Sequence, residues 1–290
     1  MKNDVFWRYM TLMPAVVLFL ALTIVPMINL FALSFHHVEW IERVAVWKSV
    51  GWSNYIAAFQ DNLFRAGAIN TVIFAVVAVS VQMVLGFILA LLTTGVTRGR
   101  LLYRTVFLLP ILVPGIIIGA IWKLMYSYDF GVINTTAVFL GMSPQDWLGN
   151  PHLALASVIL VDVWHWTPFC FLLLLAALES LPQDIYEAAK IDGSSPWQAL
   201  RFITLPLMLP AIIVTFIFRM ILALKVFDEV YLLTGGGPGT STEVISFTIY
   251  RRFFTEDRPG YGAAISIITF AAVAILIFVA GRISRRRKVA

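Results

Sequence analysis

The chain has 290 residues, of which 60% are hydrophobic and only 13% charged, where an ordinary soluble domain is about 45–50% apolar and about 25% charged. A mean hydropathy of +0.87 excludes a water-soluble globule and a disordered chain alike, since disorder requires low hydrophobicity. The formal charge of +5 does not mark a nucleic-acid binder: five basic residues (Arg282, Arg285, Arg286, Arg287, Lys288) crowd the last nine positions beside an apolar segment, the pattern of a membrane flank. Cys170 is the sole cysteine, so no intrachain disulfide framework is expected.

About 20 apolar residues cross a bilayer as a helix. In chain order, six stretches meet that length: Thr11–Phe35, Ala68–Thr94, Val106–Leu124, Leu153–Leu178, Leu205–Leu224 and Ala264–Gly281. They are too long and continuous for barrel strands, which alternate over about 10 residues. The first follows Lys2 and Arg8 as a signal peptide would, but its apolar run is too long and Ala32-Leu33-Ser34 is a poor cleavage site, so it is read as retained. The fold class expected is all-α, a polytopic membrane protein of six helices in one domain over 1–290.

The short connecting segments set the orientation. Twelve basic residues lie in the N-terminal tail, residues 95–105, the segment after the fourth span and the C-terminal tail; the opposite loops carry six. By the excess of lysine and arginine on the inner side, both termini are cytoplasmic. The aromatics Trp40, Trp47, Trp52 and Tyr55 then fall at the outer interface, where amphipathic rings are favoured.

Ionisable groups inside spans are expensive and by default face a cavity or a partner. In the fourth span Asp162, His165, Trp166 and Phe169 are spaced i, i+3, i+4, i+7 and share one helix face. An acid, an imidazole and aromatic rings suit a polyhydroxylated ligand; the other reading is structural, with Asp162 satisfied by Arg219 or a neighbouring helix. In the third span Ile111 and Gly115 adjoin Pro110 and Pro114, prolines that free backbone carbonyls where a cavity or neighbour can satisfy them. The fifth span repeats the stripe spacing with Arg219, Leu222, Ala223 and Val226. Arg219 has two open roles, binding an anionic solute or pairing with Asp162.

Between the fourth and fifth spans, residues 179–206 divide into two short helices. Pro182 starts the first, with Asp184 and Glu187 in its early turns, and Gly193 ends it. Ser194 or Ser195 caps the second, with Pro196 at its first position. Glu187-Ala188-Ala189, then Gly193 after three residues, then Ile203-Thr204-Leu205-Pro206 after nine more resemble the EAA motif of ABC importer permeases. The segment Phe227 to Gly239, with its Gly235-Gly236-Gly237-Pro238 run, and Trp164 to Phe169 are similar to carbohydrate-uptake permeases of the maltose, glycerol-phosphate and polyol type.

That resemblance implies a permease fold in the bacterial inner membrane. It implies a coupling helix carried by Glu187, Ala188, Ala189, Asp192 and Gly193 that docks on a cytoplasmic ATPase. It places the stripes of the fourth and fifth spans, with Ile111 and Gly115, along a substrate cavity, although three of the four fifth-span positions are apolar here, which suggests a smaller pocket than one for a large oligosaccharide. The partners implied are a second, homologous permease, two ATPase subunits and a periplasmic solute-binding protein. No Gly-x-x-x-x-Gly-Lys-Ser/Thr loop occurs, so ATP and magnesium are expected on the ATPase subunits and no cofactor, metal or catalytic group in this chain. Two rival readings keep the same polar residues: a membrane enzyme with Asp162 and His165 as acid and base, and an ion-coupled carrier with Asp162 as its proton site.

Overall fold

The computed structural model describes residues 2–42, 44–95 and 99–286. Arg43, Arg98, Arg287 and Lys288, counted above for orientation, lie outside the described residues. In chain order the elements are α1 (Lys2–Leu33), β1 (His36–Ile41), β2 (Val44–Ser49), α2 (Ser53–Gln60), α3 (Asn62–Thr93), α4 (Arg100–Leu112), α5 (Gly115–Met125), α6 (Val132–Phe139), α7 (Ala154–Glu179), α8 (Gln183–Ile191), α9 (Pro196–Ala199), α10 (Leu205–Ala223), α11 (Asp228–Leu233), α12 (Ile245–Tyr250) and α13 (Pro259–Arg286). Helices dominate, as the composition requires. Among the described residues five helices are long and apolar enough to cross a membrane, or six if α4 and α5 form one broken span.

The third apolar stretch is where the structure departs from a straight helix. Its two halves, Leu102–Leu112 and Gly115–Met125, meet at 92°. Pro114 explains the break: it has no N–H to donate, and the residue before it is pushed out of the helical region, whereas Pro110 lies within the last turn of α4. Val113 is accordingly extended (φ −86°, ψ 127°), and Pro114 (φ −58°, ψ 139°) caps the start of α5. A second addition is a small antiparallel ladder, β1 on β2, pairing Val38 with Trp47 and Trp40 with Ala45. Its Val, Trp and Ile residues suit a strand, but they are interleaved with His36, His37, Glu39 and Lys48 in two strands of only six residues each.

Two compact units make up the chain, one of residues up to Phe64 with Thr248–Ala272, the other of Arg65–Phe247 with Val273 onward. In the first, Asp61 caps α3, its carboxylate accepting from Leu63 N at 2.8 Å. The same carboxylate accepts from Arg252 at 2.7 Å and from the Tyr261 hydroxyl at 2.8 Å. Burial works against its ionisation, but these donors outweigh it and hold Asp61 below its usual range.

In the second unit, α7 is central, with Val158, Val161, Phe171 and Leu174 fully buried. Glycine lets α3 approach it closely. A Cβ at Gly86 would stand 2.8 Å from Phe171 N and 2.9 Å from Cys170 Cβ. Arg104 of α4 forms an ion pair with Glu179 at the end of α7. Gly119 of α5 likewise meets α11, where a Cβ would lie 2.7 Å from Leu232 Cβ. These contacts tie the broken helix and the short α11 to the flanks of α7 and α10, the two helices that carry the polar stripes.

Overpacking such a contact typically costs about 1–3 kcal/mol. Gly86→Ala is therefore expected to lower the thermal unfolding midpoint of the detergent-solubilised protein by several degrees, while Val84→Ala, at an exposed position of the same helix, leaves it nearly unchanged. Equal midpoints for Gly86→Ala and the unaltered chain would contradict the close approach of α3 and α7.

Candidate functional site: a charged cavity between α7, α10 and α11

Arg219 is 1% exposed and Asp162 2% exposed, and the two form an ion pair between α10 and α7. The Gln82 amide, from α3, donates to the same Asp162 oxygen at 2.8 Å and to the Asp162 main-chain carbonyl at 2.9 Å. The guanidinium also stands over the Trp166 ring, 4.9 Å from its centroid, a cation–π contact that strengthens when water is excluded. One turn along α7, His165 Nδ1 lies 3.2 Å from Glu229 Oε1, and both side chains are buried.

These groups surround a cavity of about 360 Å³. Asp162, His165 and Trp166 line it from α7, and Arg219 and Leu222 from α10. The turn Lys225–Asp228 and Glu229 of α11 close another side. Gly115 completes the wall: a Cβ there would meet Asp228 Oδ2 at 3.0 Å, so the bend sets the first residue of α5 against a carboxylate. Negative charge is favoured at a helix N-terminus.

Of the expected cavity residues, Asp162, His165, Trp166, Arg219, Leu222, Val226 and Gly115 meet at this one cavity. Phe169, Ala223 and Ile111 are not among its lining. Phe169 makes an edge contact with Trp166, their ring centroids 6.0 Å apart, and Ala223 is buried at 1% exposure. Ile111 sits on α4, before the bend that turns α5 toward the cavity. Of the two roles open for Arg219, the structure shows the ion pair with Asp162. Gln82, Glu229, Asp228, Lys225 and Phe227 were missed as site residues. A lone glutamine in an apolar span was a usable signal for Gln82; Asp228 and Glu229 follow the fifth span, and only the turn at Leu224–Phe227 brings them back against α7.

The loop after α11 is built on glycine. Gly235, Gly236 and Gly239 have positive φ (58°, 85° and 62°), and a Cβ at Gly236 would clash with Glu243 Oε2 at 2.3 Å. Asn70 of α3 anchors the loop by donating to the carbonyls of Thr240 and Glu243 at 2.8 and 2.9 Å.

In the segment after α7, Pro182 precedes α8 and Gly193 ends it at φ 78°. Ser195 forms a capping box: its Oγ accepts from Gln198 N, and Gln198 Oε1 accepts from Ser195 N at 2.7 Å. A single π-helical turn, Leu200–Thr204, joins α9 to α10, so Pro196–Ala223 runs as one helical stretch. Tyr186 of α8 meets Thr204 at 3.0 Å. Glu187, Ala188, Asp192 and Gly193 are exposed and Ala189 is buried; Ile185, Ile191 and Trp197 expose apolar surface beside them.

An apolar multi-helix chain with a charged cavity and an exposed helical segment on one side of it is a membrane transport protein. The chain belongs to the family of binding-protein-dependent transport system inner membrane components, whose model matches residues 82–289. It is 40% identical over 281 residues to the trehalose/maltose transport system permease protein of Thermococcus litoralis, covering 97% of this chain and 94% of that one. It is 34% identical over 281 residues to the lactose transport system permease of Rhizobium radiobacter, covering 95% and 93%. Among solved structures it is similar to a bacterial ABC transporter that imports the acidic polysaccharide alginate, with a TM-score of 0.86 and 27% identity over 98% of this chain and 96% of that chain.

Removing one member of a buried ion pair leaves a buried charge and typically costs about 3–5 kcal/mol. Asp162→Ala and Arg219→Ala are each expected to lower the unfolding midpoint and the yield of assembled protein. The double variant should lose less than the sum of the two, by about 0.5–3 kcal/mol. Strictly additive losses would contradict a direct pair.

Proposed function

We propose that this permease carries a sugar, polyol or related small polar solute through the cavity between α7, α10 and α11, driven by ATP hydrolysed elsewhere. The observation that carries the reading is the cavity itself: six ionisable groups gather around the rings of Trp166 and Phe227 in a predominantly apolar chain. Trp166 offers a face for the apolar side of a sugar ring, and the flanking carboxylates accept hydroxyl hydrogen bonds. The sugar-permease relatives support that class of solute.

In this reading Glu187 to Gly193 is the coupling segment, and its exposed apolar neighbours Ile185, Ile191 and Trp197 meet a cytoplasmic ATPase. Two such ATPase subunits bind ATP and magnesium, which this chain has no phosphate-cradling loop to hold. A second, homologous permease completes the pathway. A periplasmic binding protein delivers the solute; the alginate importer has been solved with a periplasmic protein bound to an alginate pentasaccharide. Both termini face the cytoplasm of an inner membrane, which follows from the arginine and lysine bias. When ATP closes the ATPase dimer, movement of α8 and α9 passes through the π turn into α10, and with it Arg219, so that the cavity opens alternately to the two sides.

The test is sugar-stimulated ATP hydrolysis by the reconstituted complex. Glu187→Lys and Gly193→Val are expected to reduce that stimulation by about tenfold or more, the second because φ 78° strains any β-branched residue, while membrane insertion is unaffected. Normal uptake by both variants would contradict the docking role.

A further inference from the structure

Every strongly positive feature buried in this cavity already has an acid of its own. Arg219 is neutralised by Asp162, His165 lies against Glu229, and the start of α5 faces Asp228 across Gly115. Among the described residues of the lining, Lys225 is the cation outside these pairings, and it is exposed. Three carboxylates, Asp162, Asp228 and Glu229, line the cavity beside two permanent cations, Arg219 and Lys225. An anionic solute entering here would meet no unpaired buried cation and would face the carboxylates of Asp228 and Glu229. A neutral polyol would find carboxylate acceptors and the Trp166 face. The arginine that suggests an acid-binding site is spent within the protein.

We infer that this chain's part of the cavity selects uncharged polyhydroxylated solutes, with Glu229 and Asp228 as the groups that reject anions. The inference rests on the cavity being the solute site. It is not implied by family membership, since a structural relative imports an acidic polysaccharide.

The experiment uses the assembled permease–ATPase complex in nanodiscs without binding protein, so that selectivity belongs to the membrane subunits. Saturation-transfer NMR reads the apparent affinity for trehalose and for an alginate disaccharide at equal concentration. Trehalose is expected to bind at least about tenfold more tightly, a difference of about 1.4 kcal/mol. Asp228→Asn and Glu229→Gln should narrow that ratio at least threefold, and Trp166→Ala should abolish binding of trehalose. If the alginate disaccharide binds as tightly as trehalose, and its binding is lost in Trp166→Ala, the charge selection is overturned while the cavity reading stands. Binding of either sugar that survives Trp166→Ala unchanged, or no binding of either, would overturn the cavity reading and this inference with it.

Discussion

The buried pair of Arg219 and Asp162 is the constraint around which the cavity is organised. A guanidinium at 1% exposure in a membrane-embedded helix is tolerable only with an opposite charge and further hydrogen bonds. Asp162 supplies the charge and the Trp166 face lies alongside. Gln82 holds the carboxylate from a third helix. The pair therefore fixes the rotation of α7, α10 and α3 relative to one another, and with it the wall that Trp166, His165 and Leu222 present. A buried ion pair adds little net stability compared with well-packed apolar side chains. Here its effect is positional, since it binds together α7 and α10, two helices that line the cavity.

The remaining walls follow from breaks in helices. Pro114 interrupts the third apolar stretch, and the 92° bend carries Gly115 to Asp228. Gly119 lets α5 close onto Leu232 of α11, which in turn holds Glu229 against His165. On the other side of the cavity from these, α10 continues through a π turn into α9. Such turns interrupt the regular hydrogen-bond ladder and recur at functional sites. Trp197, beside the proposed ATPase contact on α8, and the cavity arginine thus belong to one helical stretch, Pro196–Ala223, a mechanical route from the neighbourhood of that contact to the proposed solute site.

Much of this was legible in the residues. The helical class followed from long apolar runs, and the two helices of residues 179–206 from Pro182, Gly193 and a serine cap at 194 or 195 before Pro196, because caps and breakers act locally. The stripe from Asp162 to Trp166 was readable because polar groups in apolar helices are conspicuous. Phe169 and Ala223 shared the stripe spacing yet do not line the cavity, since periodicity defines a face but not how far a neighbouring helix covers it. The partners of the charged residues were less legible. Glu229 reaches His165 only through a turn and a short helix, 64 residues away in sequence. The β1–β2 ladder was not legible because two six-residue strands, with His36, His37, Glu39 and Lys48 among Val38, Trp40, Val46 and Trp47, form no apolar run long enough to stand out.

The central claim is that the cavity beside Arg219 and Asp162 is the solute pathway, and thiol protection tests it most directly. Leu222→Cys places a thiol on the cavity wall, and the native Cys170 is buried. In the assembled complex the new cysteine should react with a hydrophilic thiol reagent much faster than Leu173→Cys on α7. A saturating mixture of trehalose, maltose and lactose should slow that reaction several-fold. Labelling of Leu222→Cys that is no faster than at residue 173, or that none of these sugars slows, would contradict the account.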